Sequence, residues 1–323
     1  MALWRRRTPQ PPSIVCYGKL PATGDFVRSN ASGAEQAGYD RWMQGALNLV
    51  RQSLEQGFLP AYQGSAGLFI YRGEDGEGGA EPERGLVGVW AASGDSAGRH
   101  YPMTVATAYD YEHLLAAGPA LPLVVWPFLQ AAYELVQNGR GLPVEAFLAR
   151  VHALPVISLE AAGAIQAQYQ AFTQQHTMRA LWEATFGTVA ARFAAMQMIH
   201  ASVEYFRGQE RPQTNLALRL PLAATDLYGI AVWTDVMQRL GKWQRTVFNA
   251  YWTPQREAIV HLGPPHVATL KALLSSLPVG DHMTDLLAPL EVDEVAVRAR
   301  LAPALDAVLA DPDATIAAFL AAL

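Results

Sequence analysis

Cysteine is nearly missing from this chain of 323 residues, and Cys16 is the single one. That excludes an internal disulfide framework and any cysteine-based zinc site. Set within Ile14-Val15-Cys16-Tyr17, it reads as a small buried hydrophobe and not as a nucleophile. Lysine is almost as scarce: Lys19, Lys242 and Lys271 are the only three, so the basic residues are nearly all arginine. Charged residues make up just 16%, and the net charge is -5. No basic domain stands out, which argues against a nucleic-acid partner. No apolar run follows the arginines near the N-terminus; Thr8-Pro9-Gln10-Pro11-Pro12 comes instead, so no signal peptide is expected. Leu114 to Tyr133 carries no charge but contains Pro119, Pro122 and Pro127. Such prolines break the hydrogen bonding that a spanning helix needs, so the segment reads as a loop entering a soluble helix. No membrane insertion is expected, and the location expected is the cytoplasm.

What the chain has in quantity is apolar surface, 51% of residues, enough for a large core. Its length favours two domains. Ile14–Leu20 reads as a strand, followed by a turn-rich stretch from Pro21 to Asp25. Ser32 and Glu35 have capping-box spacing, and Tyr39, Trp42, Met43, Ala46, Leu47, Val50 and Leu54 recur at helical period, with Gly57 as a stop. Strands are predicted at 67–71, 86–92 and 101–108, the first two joined by an acidic, glycine-rich loop expected to be mobile. Helices are predicted from Pro127 and Pro143 and onward to about Arg207, with Trp182 to His200 on one stripe and His200 as a hydrogen-bonded core residue. Strands near 215–222, 246–252 and 258–262 follow, with helices at 226–240 and 264–277 and two short helices over 292–323. The PVEAF (143–147) and PLEVDEV (289–295) stretches read as solvated helix faces. The fold class is α+β: largely antiparallel sheets flanked by helices, in two mixed domains with a helical tail. The expected division is a flexible segment 1–12, an N-terminal α+β domain 13–125, a helix-rich α+β domain 126–285 and a tail 286–323.

Three motifs invite chemistry. Gly18-Lys19 suggests a phosphate-binding loop, but Ser13 stands where glycine is needed and Leu20 where a hydroxyl is needed. Lys19 then reads as a surface or strand-end residue. Gly94-Asp95-Ser96-Ala97-Gly98 matches the nucleophile elbow of α/β-hydrolases, yet the elbow requires a helix after the serine, and the residues after Gly98 read as a strand. A polar turn between strands is the competing reading. The eight histidines show no metal-ligand spacing; His261 and His266 are separated by Pro264-Pro265. The aromatics, Trp42, Trp90, Trp182 and Trp233 among them, need no role beyond the core. The stretch from Tyr17 to Arg28 is different. Gly18, Pro21 and Gly24 define its backbone, and Thr23 and Asp25 can bond free amides locally. It reads either as an ordered recognition loop presenting Phe26 or as a well-made turn with Phe26 in the core.

Tyr17-Gly18-Lys19-Leu20-Pro21-Ala22-Thr23-Gly24-Asp25-Phe26-Val27-Arg28 resembles the opening signature of the TagF (ImpM-like) accessory proteins of type VI secretion. Asp40-Arg41-Trp42 matches that family's following helix. Ser93, Asp95, Gly98, Arg99, Tyr101, Pro102 and Thr104 fit its later pattern, and Trp252 to Leu274 is similar to its ending. Neither Gly94 nor Ser96 belongs to that pattern, so the elbow looks accidental. The chain lacks the acidic metal-binding motifs of the phosphatase domain fused to some relatives, and so looks like the stand-alone form. The resemblance implies a cytoplasmic, non-enzymatic regulator with no cofactor, which restrains assembly of the secretion machine through its forkhead-associated scaffold protein. Rival expectations are a serine hydrolase using Ser96 and a small-molecule sensor, the latter requiring an apolar pocket near Thr23 and Arg99. Asp95 and Arg99 are expected to form a partly buried bidentate pair. Thr23–Arg28 is expected on the partner surface, with Phe26 as apolar anchor and Arg28 as its bidentate contact.

Overall fold

The computed structural model describes residues 10–76, 80–159, 162–209, 212, 214–222, 228–243, 245–253, 257–278, 280–287 and 293–323. The first half comprises β1 (Ser13–Lys19), β2 (Phe26–Ser29), α1 (Ala34–Leu54), α2 (Phe58–Tyr62), β3 (Ala66–Tyr71), β4 (Arg84–Ala91) and β5 (Met103–Asp110). Helices then run through α3 (Tyr111–Ala117), α4 (Leu121–Val124), α5 (Trp126–Asn138), α6 (Val144–His152), α7 (Ala162–Gln175), α8 (Met178–Thr185) and α9 (Val189–Glu204). The chain closes with β6 (Ala217–Pro221), α10 (Gly229–Gly241), β7 (Asn249–Thr253), β8 (Glu257–His261), α11 (Ala268–Leu274), β9 (Met283–Asp285), α12 (Glu294–Arg298), α13 (Pro303–Ala310) and α14 (Ile316–Ala322).

The nine strands among the described residues form one sheet, in the order β2-β1-β5-β4-β3-β7-β8-β6-β9. The architecture is α+β, as expected, and every pair is antiparallel except β6 with β9. In place of separate sheets in the two halves, β3 pairs with β7 through Leu68–Trp252, Phe69–Tyr251 and Ile70–Ala250. The sheet therefore runs straight across position 125. Strand alternation explains the layers. Phe69, Tyr71, Trp90 and Tyr251 face α1, α2 and α11, whereas Leu68, Ile70, Val89 and Trp252 face the larger set of helices. Because both faces are covered, the central strands read as nearly continuous apolar runs.

Several expectations change in detail. The N-cap of α1 is Gly33, which makes no side-chain bond; Glu35 instead approaches Arg84 at 3.8 Å, so no capping box forms. Of Leu114–Tyr133, the helix expected from Pro127 is α5, but the part before it is not a loop. The segment is helical in short pieces, with Pro119, Pro122 and Pro127 each in a first turn, where a missing N–H is harmless. Among the described residues no single helix is long and apolar enough to cross a membrane; Tyr111–Val124 and Trp126–Asn138 form one apolar pair bent by 58°. The Trp182–His200 stripe is two helices broken at Gly187, and the His200 side chain is 42% exposed, near Glu204. Phe147 is buried, so PVEAF is not wholly solvated. Among its described residues the tail holds three helices, not two, and Leu305, Leu309, Ile316 and Phe319 join the main core. The acidic loop is tied down where described: Arg72 pairs with Asp75 at 2.9 Å and Gly76 bonds Ala80. Parts of the expectations for residues 1–12, 73–79, 226–240 and 289–295 fall on residues 1–9, 77–79, 226–227 and 289–292, outside the described set.

Candidate functional site

The two signature segments meet at the end of β1. Lys19 is the last residue of that strand, the strand-end alternative of its expected placement, and it is buried, not on the surface. Its Nζ lies 2.6 Å from Asp95 Oδ2, with the two side chains 5% and 0% exposed. Asp95 opens the turn between β4 and β5. Its Oδ1 accepts the amides of Ala97 and Arg99, at 3.0 and 2.9 Å, and Oδ2 also accepts Arg99 Nε at 2.7 Å. One carboxylate thus takes four donors. The Lys19 ammonium, followed by the Arg99 amide and guanidinium, holds it well below the usual carboxylate range against the effect of burial.

Arg99 is a correction to the expected buried, bidentate pair. Its side chain is 64% exposed, it offers Asp95 a single nitrogen, and another nitrogen bonds the Gly24 carbonyl. The buried partner of Asp95 is Lys19. Further bonds lace the segments together: Ser96 N donates to Thr23 O at 3.0 Å, and Ser93 Oγ to Lys19 O at 2.7 Å. Thr23 accepts the Asp25 amide on its hydroxyl, an ST turn that gives the loop a fixed shape. Gly18 lets β5 come close, since a Cβ there would meet the Pro102 carbonyl.

Thr23–Arg28 is not one loop. Phe26–Ser29 is the edge strand β2, hydrogen-bonded to β1 with Lys19 opposite Phe26 and Tyr17 opposite Arg28. Phe26 is half-buried. It stacks on Tyr17 at 5.0 Å, meets Tyr101 edge-on at 5.2 Å, and carries Lys19 Nζ 4.2 Å from its ring centre. The Tyr101 hydroxyl donates to Asp40, and burial followed by that carboxylate raises its pKa. Arg28, Asp25 and Pro21 are exposed. Gly18, Lys19, Leu20, Trp42, Asp95, Tyr101 and Pro102 are all buried. Trp42 belongs to the core, stacked on Tyr251 at 4.6 Å with its indole N–H on the His266 carbonyl. Of the two signature segments, then, Pro21, Ala22, Asp25, Arg28, Gly98 and Arg99 are exposed, Tyr17, Thr23, Gly24 and Phe26 are half-buried, and the others are buried beneath them.

Ser96 is exposed on the turn, and the chain after it enters β5 without a helix. No described histidine bonds its hydroxyl. The cleft beside the turn, about 350 Å³, is bordered by Ser93, Asp95, His100 and Arg140 together with Pro21, Tyr62 and Ala92. Sequence reasoning missed the burial of Lys19. The one available signal was a lysine at the end of an apolar strand in a chain that otherwise uses arginine.

The fold and this interlocked turn define an α+β domain whose two signature segments act as one structural unit. Residues 15–154 match the family described as TagF N-terminal domain, Type VI secretion system-associated, and the chain carries that domain over those residues. It is also similar to the crystal structure of PA0076 from Pseudomonas aeruginosa PAO1, at 25% identity and a TM-score of 0.36, over 45% of this chain and 63% of that one. The chain therefore spans less than two thirds of that structure. No curated protein matches the chain.

Proposed function

We propose that this protein is a non-enzymatic, cytoplasmic accessory protein of type VI secretion. It represses the secretion machine after translation by binding the forkhead-associated scaffold protein. The TagF N-terminal domain over residues 15–154 carries this reading. The partner surface is the rim of the interlocked turn: edge strand β2 with Arg28, the neighbouring Asp25, and Arg99 opposite. Edge strands present unpaired backbone groups that a partner segment can complete, and Arg28 adds a planar donor for a carboxylate. Phe26 is the floor of this surface more than its anchor, because Tyr17 and Tyr101 already cover much of its ring.

Co-purification of the tagged chain with the scaffold protein tests the reading. Arg28→Glu, at an exposed position, is expected to abolish co-purification and release secretion while the melting temperature stays unchanged. Wild-type binding by the folded variant would refute the assigned surface, and failure of the unmodified chain to bind would refute the partner. The same protein should leave a fluorophosphonate probe unreacted; stoichiometric labelling of Ser96 would overturn the non-enzymatic reading.

A further inference from the structure

A second site lies on the opposite face of the sheet, away from the signature turn. The bend between α4 and α5 places Trp126 at the start of α5, so that Trp126, Tyr133 and Glu134 follow one another along one side of that helix. They face Trp252 of β7 and Ile230 of α10 across a cavity of about 300 Å³. That is the lower end of the range for small-molecule sites. Trp126 and Tyr133 are only partly buried, although both lie against the main core. No ring contact joins any two of Trp126, Tyr133 and Trp252 among the described residues, so the three stand apart around the space. Glu134 is exposed at the rim and makes no ion pair with a described residue.

We propose that this cavity binds a small organic cation of the quaternary or alkylated ammonium class. Three aromatic side chains line one space, and with them stands a carboxylate that pairs with no described cation. Such a set attracts positive charge through the ring quadrupoles and the Glu134 charge together. The rest of the lining is mainly apolar, with Ile230 and Leu68 among it, and Gln130 and Thr253 add two polar groups. A primary ammonium is compact and strongly hydrated and gains little from apolar walls, whereas a methylated ammonium has no donors to satisfy and packs its methyl groups against the rings and aliphatic side chains. The aromatic and aliphatic lining therefore favours an alkylated cation over a strongly hydrated ammonium. The occupant is a free small molecule, because the cavity has room for a head group of this size.

Choline and its uncharged carbon isostere, 3,3-dimethylbutan-1-ol, are the probes. Isothermal titration of the full chain and saturation-transfer NMR are expected to show choline binding with Kd below about 10 mM. Its affinity should be at least about tenfold greater than that of the isostere, the signature of a cation–π contribution. Glu134→Gln, at an exposed position, should weaken choline about threefold or more and leave the isostere unaffected. Trp126→Leu should remove choline binding while circular dichroism stays unchanged; if that variant unfolds, the Glu134→Gln comparison still decides. Equal binding of the two probes, or no binding of choline, would overturn the proposal. So would cosedimentation with phosphatidylcholine vesicles in the absence of binding to free choline.

Discussion

Replacing Gly18 with alanine is expected to be far more damaging than replacing Gly98, and the pair separates a steric cost from a conformational one. Gly18 adopts φ +155° near the end of β1. A Cβ there would stand 2.3 Å from the Pro102 carbonyl oxygen and 2.6 Å from the Met103 Cα. Both are backbone atoms, so no change of rotamer relieves the overlap, and β5 must move away from β1. A residue held in a sparsely populated backbone region costs about 1–3 kcal/mol, and overpacking adds about 1–3 kcal/mol. Together they amount to about 2–6 kcal/mol, a large part of the ~5–15 kcal/mol that keeps a domain folded. Gly98 also has positive φ, at +80°, but a Cβ on it would meet nothing within 4 Å. Gly98→Ala bears only the backbone cost, partly offset by the lower entropy of its unfolded chain, which leaves about 1 kcal/mol. Urea unfolding of the three proteins at pH 7, followed by tryptophan fluorescence, measures both. The reasoning fails if Gly18→Ala loses less than about 1 kcal/mol, or if the two variants lose the same amount.

Arg99→Ala is expected to move the melting temperature by no more than about 2 °C, because most of that side chain is in water. Lys19→Met strands the Asp95 carboxylate in the interior and should lower it by more than about 5 °C; equal shifts in calorimetry would count against Lys19 as the principal partner. His261 is buried and lowered to about 3, by desolvation first and then by His266 and His282. Held neutral, it stabilises the fold fully above its unfolded value near 6.5, and this contribution drains away as pH falls from there to about 3. His261→Gln should flatten the stability profile over that window, and an unchanged slope would exclude the imidazole as its source. Asp95, shifted downward, acts at lower pH: its contribution is complete above about 4 and is lost as pH falls through its folded value. Cys16, buried with its thiol pushed up to about 12, should resist alkylation until the protein unfolds.

The long elements were readable because their patterns carry the physics. α1 repeats Tyr39, Trp42, Met43, Ala46, Leu47 and Val50 at helical period because that face covers the sheet. The central strands are runs of apolar residues because helices cover both sides. β2 and β9 escaped notice: they span four and three residues, too few to show a period of two. The continuity of the sheet escaped as well, since it depends on β3 meeting β7 far along the chain, a pairing no local pattern encodes. At the candidate site the residue types were legible and their partners were not. Asp95 and Arg99 lie four apart and invited pairing, yet the decisive partner of Asp95 is Lys19, 76 residues away. Exposure decided between them, and exposure is a tertiary property.

The use of lysine at position 19 follows from what surrounds it. Its ammonium must fit between the Asp95 carboxylate and the face of Phe26, beside a glycine against which β5 packs closely. A compact point charge on a slender stem suits that space; a broad guanidinium with five donors does not. A buried ion pair of this kind is a weak source of stability compared with well-packed apolar groups. Its effect here is geometric. The Asp95 oxygens are shared among Lys19 and the Ala97 and Arg99 amides, so the charge on β1 fixes the turn between β4 and β5. That turn in turn bonds Thr23 and Gly24, and so sets the approach to β2. The exposed rim is therefore shaped within the chain itself, and little ordering entropy would oppose binding of the proposed partner. Loosening the buried pair should weaken a partner that touches neither Lys19 nor Asp95, which makes Lys19 a positioning residue for a surface it never reaches.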